Sequence, residues 1–128
     1  MTDFHMALLG FWGQFGVPVF IQGVVPTDQP FPYVTIEIAR PAALGTAVLV
    51  AYDWHRRGDA TPQPMAERAE LMGRIASAIP ESGARIDFDG GFAILHRNPA
   101  QFQSYAVDEE DESIIMGRTS YELTYYGM

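Results

Sequence analysis

The sequence predicts an α+β domain, a mainly antiparallel β-sheet packed against one long helix, with an additional short N-terminal helix. Three observations carry that expectation. Residues 64–79 repeat apolar side chains at helical spacing. Several other stretches alternate apolar and polar residues with the period of two that marks a half-buried strand. The segment Asp89, Gly90, Gly91 between two such stretches is a strong local signal for a hairpin. With 128 residues, a single domain spanning 1–128 is expected, long enough to bury a real core.

The elements follow in chain order. Phe4, Leu8, Phe11, Trp12 and Phe15 recur at helical spacing behind Thr2 as a cap, although Gly10, Gly13 and Gly16 each cost about 1 kcal/mol against alanine. The stretch 17–21 is β-branched and aromatic with Pro18 near its start, which suits an edge strand. Residues 22–32 read as a loop, because Pro26, Pro30 and Pro32 supply no backbone donors. Over 33–39, Val34, Ile36 and Ile38 are expected on the buried face, with Tyr33, Thr35 and Glu37 opposite. Pro41 and Gly45 turn the chain. In the following strand Val50, Tyr52 and Trp54 are expected inward, with Leu49, Ala51, Asp53 and His55 outward.

For the helix at 64–79, Met65, Ala69, Leu71, Met72, Ile75, Ala76, Ala78 and Ile79 gather on one half of the wheel, with Glu67, Glu70, Arg74 and Ser77 opposite. Thr61, Pro62 and Pro64 are expected to start it, Glu70 and Arg74 to pair one turn apart, and Pro80 with Gly83 to stop it. Arg68 falls inside the apolar half. Its expected place is a stem along the core edge with the guanidinium in water, the alternative being a carboxylate on a neighbouring subunit. Beyond the helix, the hairpin arms are 85–89 and 92–97, with Ile86 and Phe88 on the core side. The last strand alternates Ile115, Thr119, Tyr121, Leu123 and Tyr125 with Met116, Arg118, Ser120, Glu122 and Thr124.

Composition narrows the function classes. The chain is 48% hydrophobic and 19% charged, and no apolar run approaches the roughly 20 residues of a membrane span. A soluble protein without a membrane partner is expected. The first residues lack a basic region ahead of an apolar stretch, so no secretory leader is expected. Cysteine is absent, which removes disulfides, thiol nucleophiles and thiolate metal sites. All eight basic residues are arginines and the net charge is −8, a balance that disfavours tight binding to a phosphate backbone.

Sites for chemistry are weak. His5, His55 and His96 are far apart and form no metal-ligand pairing, so each reads as structural or on the surface. Asp87 and Asp89 share a strand face where a hard cation could sit, but solvent-facing strand residues describe them better. No phosphate loop or nucleophile elbow is present, and no catalytic residue, cofactor site or metal site is assigned. The informative feature is the run Asp108, Glu109, Glu110, Asp111, Glu112. It reads either as a solvated loop that keeps the chain soluble, or as a docking site for a basic partner, a weak cation site, or a surface that repels passing nucleic acid.

Taken together, a pattern emerges from short motifs: Val-Pro-Val-Phe at 17–20, Pro-Tyr-Val-Thr-Ile-Glu at 32–37 and Tyr-Asp-Trp-His at 52–55 before the helix. Asn-Pro-Ala-Gln-Phe-Gln at 98–103, the acidic run and Gly-Arg-Thr-Ser-Tyr-Glu-Leu-Thr-Tyr at 117–125 follow it. In this order over nearly the full chain they resemble the tail terminator family of tailed bacteriophages, also labelled minor capsid or tail completion proteins. The resemblance implies a virion component of the tail or neck, made in the host bacterial cytoplasm, with no enzymatic activity and no catalytic residues to carry over. It implies a homo-hexameric ring that caps the tail tube, contacts the tail tube protein and a head-side connector or neck protein, and lets DNA pass without specific binding. Outward Tyr33, Leu49, Met116 and Tyr126 would offer apolar surface to such a ring. The glycine-rich first helix and the five-carboxylate run lie outside the family's pattern. A head-tail neck adaptor of the same particle is the alternative, and a small-ligand-binding α+β domain a further one.

Overall fold

The computed structural model describes residues 3–42, 45–97 and 104–126. Its elements are α1 (Phe4–Gly13), β1 (Val19–Ile21), β2 (Tyr33–Ala42), β3 (Thr46–Arg56), α2 (Pro64–Ala78), β4 (Ala84–Phe88), β5 (Gly91–Arg97), β6 (Ser104–Val107) and β7 (Ile114–Tyr126). The result is an α+β fold with one curled, mixed sheet. Its strand order is β1-β2-β3-β7-β5-β4, with β6 pairing the first half of β7. Among the described residues, only the β1–β2 pair is parallel. The motif at 98–103 falls outside the described residues.

Both helices lie on the same face of the sheet. Leu8, Trp12 and Phe15 from α1 and its C-terminal turn pack with Leu71, Ile75 and Ile79 from α2 and its cap, over Ile36, Leu49, Tyr121 and Leu123 of the strands. The expectation of one long helix with a short accessory is corrected here. The helices have 10 and 15 residues, and Trp12 of the shorter one is fully buried, its ring meeting Tyr121 edge-on at 5.5 Å. Asp3 rather than Thr2 caps α1, its carboxylate accepting from the Met6 amide at 2.8 Å. At the other helix, Gln63 occupies the cap position without a side-chain bond, and the Thr61 hydroxyl donates instead to Glu67 Oε2 at 3.3 Å. Arg74 does not pair with Glu70. It reaches across to donate from Nη1 to the Phe15 carbonyl at 2.7 Å, tying the two helices together.

The largest correction concerns β3, whose two faces are the reverse of the sequence expectation. Ala47, Leu49, Ala51, Asp53 and His55 face the helices, and Val50, Tyr52 and Trp54 lie on the opposite face, where Val50 is fully buried and the two rings are half-buried. Residues directly opposite in an antiparallel pair share a face. The register Val34–Asp53, Ile36–Ala51 and Ile38–Leu49 therefore carries the inward phase of β2 onto β3. A strand apolar on both sides leaves its phase open until a neighbour sets it, and a one-residue error moves every side chain across the sheet. Leu49, expected as exposed apolar surface, is 0% exposed. The hairpin β4–β5 turns through Asp89 and Gly90, and Gly90 takes a positive φ of 92°.

Candidate functional site

The acidic run forms the connection between β6 and β7, closed by the Asp108 amide donating to the Ile114 carbonyl at 3.0 Å. Two of its five carboxylates build the turn. Asp108 Oδ1 accepts from the amides of Glu110 and Asp111 at 2.8 and 3.0 Å, and Asp111 Oδ1 accepts from the Ser113 hydroxyl and amide at 2.6 and 3.0 Å. Asp111 Oδ2 also meets Arg56 Nη2 at 3.1 Å. The Ser113 bonds, with Arg56 beside them, hold the Asp111 carboxyl below the usual value. Glu109, Glu110 and Glu112 are exposed and have no ion-pair partner among the described residues. The feature is thus a built turn presenting a negative tip.

Beside it lies a cleft of about 700 Å³ between the loop before β2 and the loop after β3, lined by Phe31, Tyr33, Arg56, Arg57, Asp59 and Thr61 among others. Its wall is aromatic. Tyr33 stacks on Trp54 at 5.9 Å, Phe31 tilts against Tyr33 at 5.3 Å, and the Arg56 guanidinium sits 4.8 Å over the Phe31 ring. Trp54 Nε1 donates to Thr35 Oγ1 at 3.1 Å, so the ring satisfies its polar atom within the outer face. Arg56 therefore joins the cleft wall to the acidic turn.

Beneath α2 the reversed phase of β3 creates a cluster that sequence reasoning missed. His55 is 0% exposed, with Nε2 at 2.7 Å from Asp53 Oδ2 and Nδ1 at 2.6 Å from Glu67 Oε1. Arg68, 7% exposed, places Nε 2.9 Å from the same Asp53 oxygen as an ion pair without hydrogen-bond alignment. Among the described residues, Asp53 Oδ1 and Arg68 Nη2 have no hydrogen-bond partner. Gly117, opposite Asp53 on β7, makes the room: a Cβ there would overlap both the Asp53 carboxylate and the Arg68 guanidinium. Burial alone would push the His55 ring down, but the hydrogen bonds to Asp53 and Glu67 outweigh it and raise the ring above its ordinary 6.5. Nearby, burial and then the Asp53 charge push the Tyr121 phenol far up.

This geometry corrects the reading of Arg68. Its guanidinium is neither in water nor free for a neighbouring subunit, because Asp53 of the same chain meets it in the interior. A cation within an apolar helical stripe was the available signal, since a buried charge calls for an opposite charge facing it. The acidic run and the buried cluster are separate features. Both nitrogens of His55 are occupied by carboxylates, so the ring has none to offer a nucleophile. Asp87 pairs with Arg85 on the surface at 2.8 Å, and Asp89 lies exposed beyond the end of β4. Among the described residues, no group of three His, Asp or Glu side chains is arranged to hold a metal ion, and no helix is long and apolar enough to cross a membrane. No family profile and no curated protein matches the chain.

Proposed function

We propose that the chain is a structural virion protein of a tailed bacteriophage, a tail terminator that forms a hexameric ring, caps the tail tube and joins it to the head-side connector. The reading starts from the order of motifs along the chain, and one observation in the fold carries it further: the domain has two chemically different sides. Both helices cover one face of the sheet, while the opposite face bears Tyr33, Tyr52, Trp54 and Arg118 and leads into the negative turn. A ring needs this, because each subunit must offer one patch to the neighbour ahead and a different one to the neighbour behind. It must also meet a tube below and a connector above.

In this role the tip formed by Glu109, Glu110 and Glu112 borders the channel. Fixed negative charge there repels phosphates, so DNA slides past without being held. Exposed Tyr126, Val107 and Met65 add apolar area for contacts between subunits or with the tube. The test is reconstruction of the particle. A closed ring of six copies between tube and connector is expected, each contact burying at least about 1,000 Å² in total. Single copies, or a ring of twelve on the head side, would replace this reading with that of a neck adaptor.

A further inference from the structure

The buried cluster suggests a device that is independent of any assembly role. Helix α2 is held at its two ends by different forces. Its C-terminal half and cap bury Leu71, Ile75 and Ile79 in the common core. Its N-terminal half buries only Pro64 and Arg68, and its remaining ties are polar: Arg68 to Asp53, Glu67 to His55, and Thr61 to Glu67. We propose that the chain Arg68–Asp53–His55–Glu67 is a proton-gated latch, which holds the first half of α2 and the loop at 57–63 on the sheet while His55 carries two ring protons and releases them when it carries one.

The geometry sets the sign. Both ring nitrogens lie within 2.7 Å of a carboxylate oxygen, 2.7 Å on one side and 2.6 Å on the other. A neutral imidazole donates from one nitrogen only, so loss of a proton turns one of these contacts into a lone pair facing a carboxylate. With the proton, Arg68 and His55 balance Asp53 and Glu67; without it the cluster carries one net negative charge, and only Glu67 is partly open to water. The charged and titratable groups that face His55 are Asp53 on its own strand and Glu67 and Arg68 on α2; Thr61 supplies only a hydroxyl, and Gly117 and Ile115 on β7 supply no charge. Tyr121 on β7 stays neutral, its phenol raised by burial. The folded ring binds its proton more tightly than the unfolded one. The latch is therefore fully closed below the ordinary 6.5 and opens as pH rises through the folded value. Because the 57–63 loop lines the aromatic cleft, opening the latch reshapes that cleft.

Hydrogen exchange of the full chain between pH 6 and pH 9, corrected for base catalysis, tests this. Protection in the first half of α2 should fall about tenfold for each pH unit separating the folded His55 value from the ordinary one. Amides of Leu49 and Leu123 in the central strands, which open only with the whole fold, should stay better protected than those of α2 at every pH. Equal protection in both places at every pH, or no loss in α2, overturns the latch. His5→Gln with His96→Gln should leave the effect intact, since neither residue belongs to the cluster. In the wild-type chain, NMR titration of the His55 ring must show an inflection above 6.5, and an inflection at or below it overturns the proposal.

Discussion

Replacing Asp53 by alanine removes the only ion-pair partner of Arg68 among the described residues and one of the two carboxylates that flank His55. The guanidinium remains where Gly117 and the helix hold it, 7% exposed and without a counter-charge. Breaking a buried pair in this way costs about 3–5 kcal/mol, a large share of the roughly 5–15 kcal/mol that stabilises a domain. At this chain length about 1 kcal/mol moves the melting temperature by about 4 °C, so a fall of roughly 10–20 °C is expected. Thermal unfolding followed by circular dichroism at pH 6 reads it directly. Asp53→Ala combined with Arg68→Met removes both charges, and its cost should be smaller than the sum of the single changes by about 0.5–3 kcal/mol. A fall of less than about 3 °C for Asp53→Ala, or strict additivity in the double variant, would refute the buried network.

Gly117→Ala should destabilise by at least about 1–3 kcal/mol in urea unfolding, because the added methyl meets two buried charged groups that have nowhere to move. Ile75→Asp buries an unpaired charge between helix and sheet and should cost several kcal/mol; an unchanged melting temperature would contradict the placement of α2. Glu109→Gln, Glu110→Gln and Glu112→Gln together should leave stability within about 0.5 kcal/mol of wild type, since these carboxylates hold nothing in the fold. The same triple variant should slow DNA ejection from particles, and a normal rate would reduce the turn to a solubilising loop.

What could be read in advance followed from local rules. The amphipathic period of α2, the alternation in β2 and the Asp89-Gly90 turn depend on neighbours within a few residues; Leu71, Ile75 and Ile79 are buried as expected, whereas Met65 and Ala69, expected in the same stripe, are exposed. The phase of β3 depends on pairing with Val34 and Ile36 and on Gly117 across the sheet, so its own apolar residues on both faces could not decide it. That single ambiguity hid the cluster, because it put Asp53 and His55 in solvent and left Arg68 without a partner. The Thr61 cap and the Glu70–Arg74 pair were missed for a similar reason: the Thr61 hydroxyl is drawn to Glu67 and Arg74 to the Phe15 carbonyl, contacts that outcompete the expected ones. The acidic run was legible as an exposed loop, but its internal order, with Asp108 and Asp111 folding the turn and three glutamates left free, is a matter of backbone geometry.

The proposed role turns on whether tube growth stops and heads acquire tails. A tube lengthens by stacking rings whose upper face matches the lower face of the next, so nothing in that symmetry ends it; a capping ring must match on one side only. Electron microscopy of a lysate from a phage lacking this gene is the most direct measurement. DNA-filled heads without attached tails are expected, together with tubes of uncontrolled length. Tails of normal length joined to heads would contradict it.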